Sequence, residues 1–178
     1  MSGLETGRLR LRPVRADDAA ILPALVTAKV GAMTANWAYP FTPAMARQRV
    51  AEAIAANAEG RVFNRLVEQR DDGAPMGWLG VVRSSADPQT GSLGYWLNDA
   101  YHGKGFLTEA LRAFMPAAVA ALGLRRLAAG ARPDNAASIA ALERLGMRFV
   151  EQKLHYVPAR DAEELTSFYA MDIGANPR

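Results

Sequence analysis

The chain predicts a mixed α/β domain, with one central sheet of parallel and antiparallel strands and helices on both faces. Three observations lead there. Stretches alternating apolar and polar residues, the strand period, recur through the first half and form a meander in its middle. A glycine-punctuated loop then opens a segment of helical period, after which strand and helix patterns alternate. The chain has 178 residues, 50% apolar and 22% charged, with no internal repeat or linker, so 1–178 reads as a single domain around one core.

Leu9, Leu11 and Pro13 alternate with Arg8, Arg10 and Arg12 over 8–14. That is a half-buried strand near a sheet edge, its arginines on one solvated face. Asp17 can cap a helix over 18–27, which Pro23 shortens or bends. Residues 36–41, N-W-A-Y-P-F, form an aromatic loop. Thr42 then Pro43 is a helix start, an N-cap followed by Pro at the first helical position, and this helix runs to about 57. Residues 61–70 read as a strand, Asp71-Asp72-Gly73 as a turn, 77–83 as the returning strand and 93–97 as the third strand of the meander.

The loop at 103–105 leads into a helix with Leu107, Leu111, Phe114, Ala118 and Leu122 on one face. Pro116 inside it predicts a kink or an early end, and Gly123 stops it. Residues 126–131 form a strand. Asp134 or Asn135 caps a short helix carrying Ile139, Leu142 and Leu145, which Gly146 ends. Strands at 149–157 and 164–173 complete the chain.

Composition narrows the function classes. Lys and Arg exceed Asp and Glu by 21 to 18, a net charge of +3, but they are scattered and lack the aromatic and basic signatures of nucleic-acid modules. No nucleic-acid partner is expected. The absence of cysteine excludes disulfides, thiolate metal ligands and a cysteine nucleophile. His102 and His155 stand apart, and no metal is expected. No apolar run of membrane-spanning length and no targeting pattern at the start make the cytoplasm the expected compartment, with no membrane partner.

The most informative stretch is 95–110, Y-W-L-N-D-A-Y-H-G-K-G-F-L-T-E-A, read as strand, loop and helix. Gly103 and Gly105 permit backbone conformations that a side chain forbids. Successive N–H groups at the helix start, with the positive end of its dipole and Lys104 nearby, would make an anion site fit for a pyrophosphate. A P-loop does not match, because Lys104 is followed by Gly105 and no glycine precedes at the right distance. A dinucleotide fingerprint lacks its third glycine, Thr108 standing there. A simple glycine-rich turn is the remaining alternative. In a second stretch, 132–147, Asn135 and Ser138 lie three apart on one face of a helix start. Asn135 could be a plain N-cap and Ser138 a solvated helix residue.

Together these stretches resemble the GCN5-related N-acetyltransferase (GNAT) superfamily, and within it the RimJ/RimL-like branch of ribosomal-protein alanine acetyltransferases. The resemblance rests on G-Y-W-L at 94–97, G-K-G-x-x-T-E-A at 103–110 and N-x-x-S-x-x-x-L-E-R-x-G-M at 135–147, with R-L-x-L-R-P at 8–13 and Y-P-F-T at 39–42. It implies a GNAT-like fold with a splay between the fourth and fifth predicted strands, 93–97 and 126–131. Pantetheine of acetyl-CoA would lie in that gap against the backbone near Trp96 and Leu97. The amides of His102, Gly103, Lys104, Gly105, Phe106 and Leu107, with Thr108, would hold the pyrophosphate. Asn135 would contact the pantetheine arm and Ser138 would sit near the thioester sulfur. Two family features are missing: the general-acid Tyr of the second helix, whose position holds Leu142, and a Glu replaced by Ser92.

The implied activity is transfer of an acetyl group to a primary amine, a protein N-terminus or a small molecule, by direct attack on the thioester. The amine must lose a proton, a backbone N–H near Leu97 would stabilise the oxyanion, and Ser138 would serve the leaving thiolate. Glu68, and after it Asp99, are the candidate bases, each otherwise a solvated carboxylate. Glu109 in the first helical turn would complement the helix dipole. Trp37, Tyr39 and Phe41 would wall an acceptor pocket or else cap the core. A non-catalytic acyl-CoA-binding module is the alternative of a different class, a nucleotide-binding domain a further one. Assembly is expected to be monomeric or homodimeric.

Overall fold

The computed structural model describes residues 3–174. Among these, eight strands form one sheet: β1 (Leu4–Glu5), β2 (Leu9–Arg12), β3 (Val62–Gln69), β4 (Pro75–Arg83), β5 (Thr90–Leu97), β6 (Arg126–Ala131), β7 (Arg148–Val157) and β8 (Ala162–Asp172). Their order across the sheet is β1-β2-β3-β4-β5-β6-β8-β7. All neighbours are antiparallel except β5 and β6, which are parallel. The mixed sheet read from the sequence is therefore present. Five helices cover it: α1 (Leu22–Leu25), α2 (Ala28–Met33), α3 (Pro43–Ala58), α4 (Phe106–Leu122) and α5 (Ala136–Arg144).

Strand alternation sends side chains to two cores, one on each face. Phe63, Leu79, Val81 and Leu93 pack with Leu111, Phe114 and Ala118 of α4 and Leu142 of α5. Leu66, Trp78 and Trp96 pack on the other face with Leu22, Val30, Ala46 and Val50 of the first three helices. Both crossovers that leave β5 and β6 thus lie on one face, as parallel connections of one hand require.

Local chemistry explains most boundaries. Thr27, Thr42 and Asn135 each accept a hydrogen bond from a backbone amide of their own helix's first turn. Gly123 ends α4 at φ 63°, a left-handed conformation suited to glycine.

Several expectations need correction. The helix expected over 18–27 is a 3-10 turn (Ala16–Ala20) followed by the short α1, and α2 lies at Ala28–Met33, where no element was expected. Asp18, not Asp17, closes that turn, accepting from the Arg15 amide at 2.7 Å. Pro116 does not end α4, which continues six residues beyond it to Leu122; the buried Leu111, Phe114, Ala118 and Leu122 hold both sides of the proline. The arginine face of β2 is not uniformly solvated. Arg12 is only 8% exposed and binds Asp18 at 2.6 Å and Glu68 at 2.6 Å. At the other edge β7 and β8 form a ribbon whose Phe149, Leu154, Tyr156 and Leu165 are exposed.

Candidate functional site

The site begins as a defect in the sheet. β5 pairs with β6 only through Thr90, Gly91 and Ser92, opposite Arg126, Leu127 and Ala128. Beyond that point Leu93 to Leu97 keep their pairing to β4, while Ala129 to Ala131 pair with β8 alone. The two strands diverge into a wedge with unpaired strand edges on both sides. Such edges are ready to hydrogen-bond an extended chain laid between them. This is the splay expected between 93–97 and 126–131.

The loop closing the end of β5 has an unusual backbone inventory. Among the described residues, none of the amides of Gly103, Lys104, Gly105, Phe106, Leu107 and Thr108 donates to a protein acceptor. The N-cap of α4 is Gly105, at φ 77°, with no side-chain cap, in contrast to the capped α2, α3 and α5. Gly103 shares the left-handed conformation at φ 72°. Free amides at a helix start carry partial positive charge and suit an anion. His102 does not join this row: its amide donates to Asp99 O at 3.1 Å. Its ring Nε2 donates to Leu97 O at 2.8 Å, since a carbonyl only accepts. Lys104 turns back, Nζ donating to Ala100 O at 2.9 Å.

The charge at the loop comes from an unexpected quarter. Arg8, just before β2, stacks on the Phe106 ring at 4.2 Å and donates to Lys104 O at 3.1 Å. Its guanidinium pairs with Glu109 at 2.7 Å, and Thr6 Oγ1 donates to the same carboxylate at 2.6 Å. Burial opposes the charge on Glu109, but the bonds from Thr6, the Arg8 amide and the Arg8 side chain outweigh it and hold the carboxyl below its usual range. An open cleft of about 590 Å³ lies here, lined by Thr6, Arg8, Gly105, Thr108, Glu109 and Arg112. Arg8 was visible in the sequence only as one of a solvated row; its reach of some hundred positions to Glu109 had no local signal.

At the wedge's other wall, Asn135 Oδ1 accepts from the Ser138 amide at 3.2 Å, so Asn135 is the N-cap of α5 and its side-chain N–H₂ remains available. Ser138 Oγ lies 2.8 Å from the hydroxyl of Tyr95 on β5. Tyr95 belongs to the part of β5 that has parted from β6 while still paired to β4, and the two side chains meet across the wedge. Burial pushes the Tyr95 phenol up to about 12, the Ser138 bond acting weakly the other way. This partnership was missed, because strand and helix are 43 positions apart.

The remaining candidates are dispersed. Glu68 is engaged by Arg12 beside Asp18, in a cluster on the α1–α3 face. Glu68 thus stands in an ion pair with Arg12 at 2.6 Å, away from the wedge between β5 and β6. Asp99 accepts from Thr27 Oγ1 at 2.9 Å. Trp37 is 7% exposed and Phe41 is 4% exposed; both pack with Trp78 and Trp96 in the core. Trp37 meets Trp96 edge-on at 4.9 Å. Of that aromatic trio only Tyr39, 58% exposed, offers a surface. Trp96 and Leu97 are buried; strand alternation turns the Trp96 backbone toward β4, in register with Trp78, and the Leu97 backbone toward the wedge.

Comparison with known proteins agrees with this architecture. Residues 8–148 match the family model of the acetyltransferase (GNAT) domain. A stretch of 58 residues is 43% identical to the "Probable N-acetyltransferase YjcK" of Bacillus subtilis (strain 168); it spans 33% of this chain and 32% of that protein, about a third of each. Among solved structures, the ribosomal-protein-S5-alanine acetyltransferase of Vibrio fischeri superposes with a TM-score of 0.84 at 20% identity, over 99% of this chain and 100% of that one. A RimL ribosomal L7/L12 alpha-N-protein acetyltransferase in complex with coenzyme A gives 0.83 at 19%, over 98% and 100%. The microcin C7 self immunity acetyltransferase MccE, in complex with acetyl-CoA and AMP, gives 0.80 at 16%, over 94% of each chain. At these identities the structural likeness is one of fold.

Proposed function

The chain belongs to the GNAT acetyltransferase domain family, and from that premise we propose that it transfers the acetyl group of acetyl-CoA to a primary amine. The observation that carries this reading is the row of six unpaired amides from Gly103 to Thr108 beside the β5–β6 wedge. A non-catalytic acyl-CoA-binding module is not favoured by the family match.

The residues present fit the co-substrate. The amides of Gly103 to Thr108 and the α4 dipole bind the pyrophosphate, and Arg8 adds a charge held in place by Glu109. The open edge of β5 up to Leu97 on one side and Asn135 Nδ2 on the other hold the pantetheine amides. Acetyl-CoA, when bound, supplies a thioester carbonyl open to direct attack by an amine. Ser138 then lies at the sulfur end of the wedge and gives its hydroxyl to the leaving group.

The acceptor follows from proton chemistry. Glu68 is paired with Arg12 and Asp99 accepts from Thr27, and we read the amine's proton as leaving through water. That favours an acceptor of low basicity. An α-amino group, with a pKa near 8, is roughly one-tenth neutral at pH 7, whereas a lysine-like amine is neutral to less than about one part in a thousand. A protein N-terminus is thus preferred over an aliphatic amine. The ribosomal-protein enzymes similar in fold modify N-terminal groups of that kind. Tyr39 is the aromatic wall such a chain end would meet. No helix among the described residues is long and apolar enough to cross a membrane, and the reaction is read as cytoplasmic.

Calorimetric titration with acetyl-CoA, CoA, ATP and NAD tests the reading first. Saturable binding of acetyl-CoA and CoA, with ATP and NAD far weaker, is expected. CoA release with peptides beginning in Ser or Ala, and none with N-blocked peptides, is the second expectation. A folded protein that ignores acetyl-CoA overturns the proposal.

A further inference from the structure

Tyr95 and Ser138 are the only hydroxyl pair that bridges the wedge among the described side-chain hydrogen bonds, at 2.8 Å. We infer that Tyr95 is a positioning residue for acetyl transfer, donating its O–H to Ser138 Oγ so that the serine's own proton points into the wedge at the departing sulfur. The inference rests on the acetyltransferase reading above and adds the group that aims Ser138.

Three features lead to it. A serine hydroxyl rotates freely unless one of its lone pairs is claimed. The other acceptor within reach of the phenol is Ser138 O at 3.4 Å, too long for a good O–H···O bond, so Oγ is the better partner. Leu142, at the position to which the family resemblance assigns a tyrosine, is fully buried and carries no hydroxyl to compete for the site. Tyr95 enters instead from β5, on the strand segment released by the splay.

The balance of the step decides between donor and acid. The amine nitrogen forms the new C–N bond, the C–S bond breaks with its pair on sulfur, and the proton lost by the amine ends on sulfur by way of Ser138 or water. Tyr95 gives up no net proton. Its phenol, pushed up to about 12, is a weaker acid than an alkyl thiol at about 8.5, so protonating the thiolate from Tyr95 runs uphill. The same weakness keeps it a neutral donor across the working range.

The test is a mutant cycle of Tyr95→Phe, Ser138→Ala and the double variant in the full chain, with acetyl-CoA binding, Tm and kcat measured for each. Tyr95→Phe should lower kcat about tenfold, with acetyl-CoA affinity within about twofold of wild type. In the Ser138→Ala background the same change should cost nothing more. The second readout is the thiol pKa of bound CoA, followed by ultraviolet thiolate absorbance; it should rise in either single variant, as a lost hydrogen bond to sulfur requires. Additive kcat losses, or an unchanged thiol pKa, would overturn the inference. Wild type that fails to bind acetyl-CoA sinks the underlying reading instead. If Tyr95→Phe lowers Tm severely, the thiol pKa in Ser138→Ala still decides, because no shift there means that Ser138 does not touch sulfur.

Discussion

Arg8 and Glu109, 101 positions apart, form an ion pair of 2.7 Å that ties the start of β2 to the first turn of α4. The pair sits beside six free amides, and its position makes the N-terminal strand part of the proposed phosphate site. Half-exposed pairs stabilise little by themselves, so its value lies in placing a guanidinium at the loop. Arg8→Ala should weaken acetyl-CoA binding about three- to tenfold, through a lost charge-assisted contact, while changing Tm little. Calorimetry with the truncated ligand pantetheine alongside checks it, because loss confined to the phosphate end spares pantetheine.

The Glu109 carboxyl is held below its ordinary range, and the sign of its pH effect follows. A depressed folded-state pKa stabilises above the unfolded value of about 4.3, and the contribution is lost as pH falls through the folded value. Acid unfolding monitored by circular dichroism should begin at higher pH in wild type than in Glu109→Gln once the neutral-pH stabilities are matched. Identical acid transitions would remove Glu109 from the list of linked groups.

Gly105 occupies a left-handed conformation at φ 77°, with Arg8 Nη2 3.6 Å from where a Cβ would stand. Gly105→Val forces a branched side chain into that conformation, at about 1–2 kcal/mol, and places bulk over the amides. Acetyl-CoA affinity should fall more than about tenfold in a folded protein. Retained affinity would return the loop to the status of a turn.

Glu68 separates a structural from a chemical role. Its partner Arg12 also binds the 2% exposed Asp18, so the cluster is buried. Removing Arg12 by Arg12→Ala leaves two carboxylates without their cation and should cost about 3–5 kcal/mol of stability. Glu68→Gln should lower Tm yet leave kcat within about threefold. A fall of about a hundredfold in kcat, the scale of a lost general base, would place Glu68 in the chemistry.

The aromatic stretch divides in the same manner. Trp37→Ala empties a core position beside Trp78 and Trp96 and should cost about 3–5 kcal/mol. Tyr39→Ala removes an exposed ring and should leave Tm almost unchanged while raising KM for a peptide acceptor. Equal effects on Tm would mean that Tyr39 serves only packing.

What the sequence determined by itself was whatever depends on neighbours in the chain. The cap Thr42, the stop at Gly123, the meander, and the glycine loop with its helix were all legible, and the α5 cap was narrowed to Asp134 or Asn135, because a period or a turn needs only a few consecutive residues. The linked motifs at 94–110 and 135–147 also carried the family, which residues 8–148 then matched. The tertiary structure alone decided which side chains meet. It placed Arg8 on the loop, withdrew Glu68 into an ion pair, buried Trp37 and Phe41, and set Tyr95 against Ser138. It also split the first expected helix, where Pro23 and the packing of Leu22 and Val30 outweighed a weak local preference. These outcomes depend on contacts between residues tens of positions apart, and local propensity has no energy term for a partner that only folding brings near.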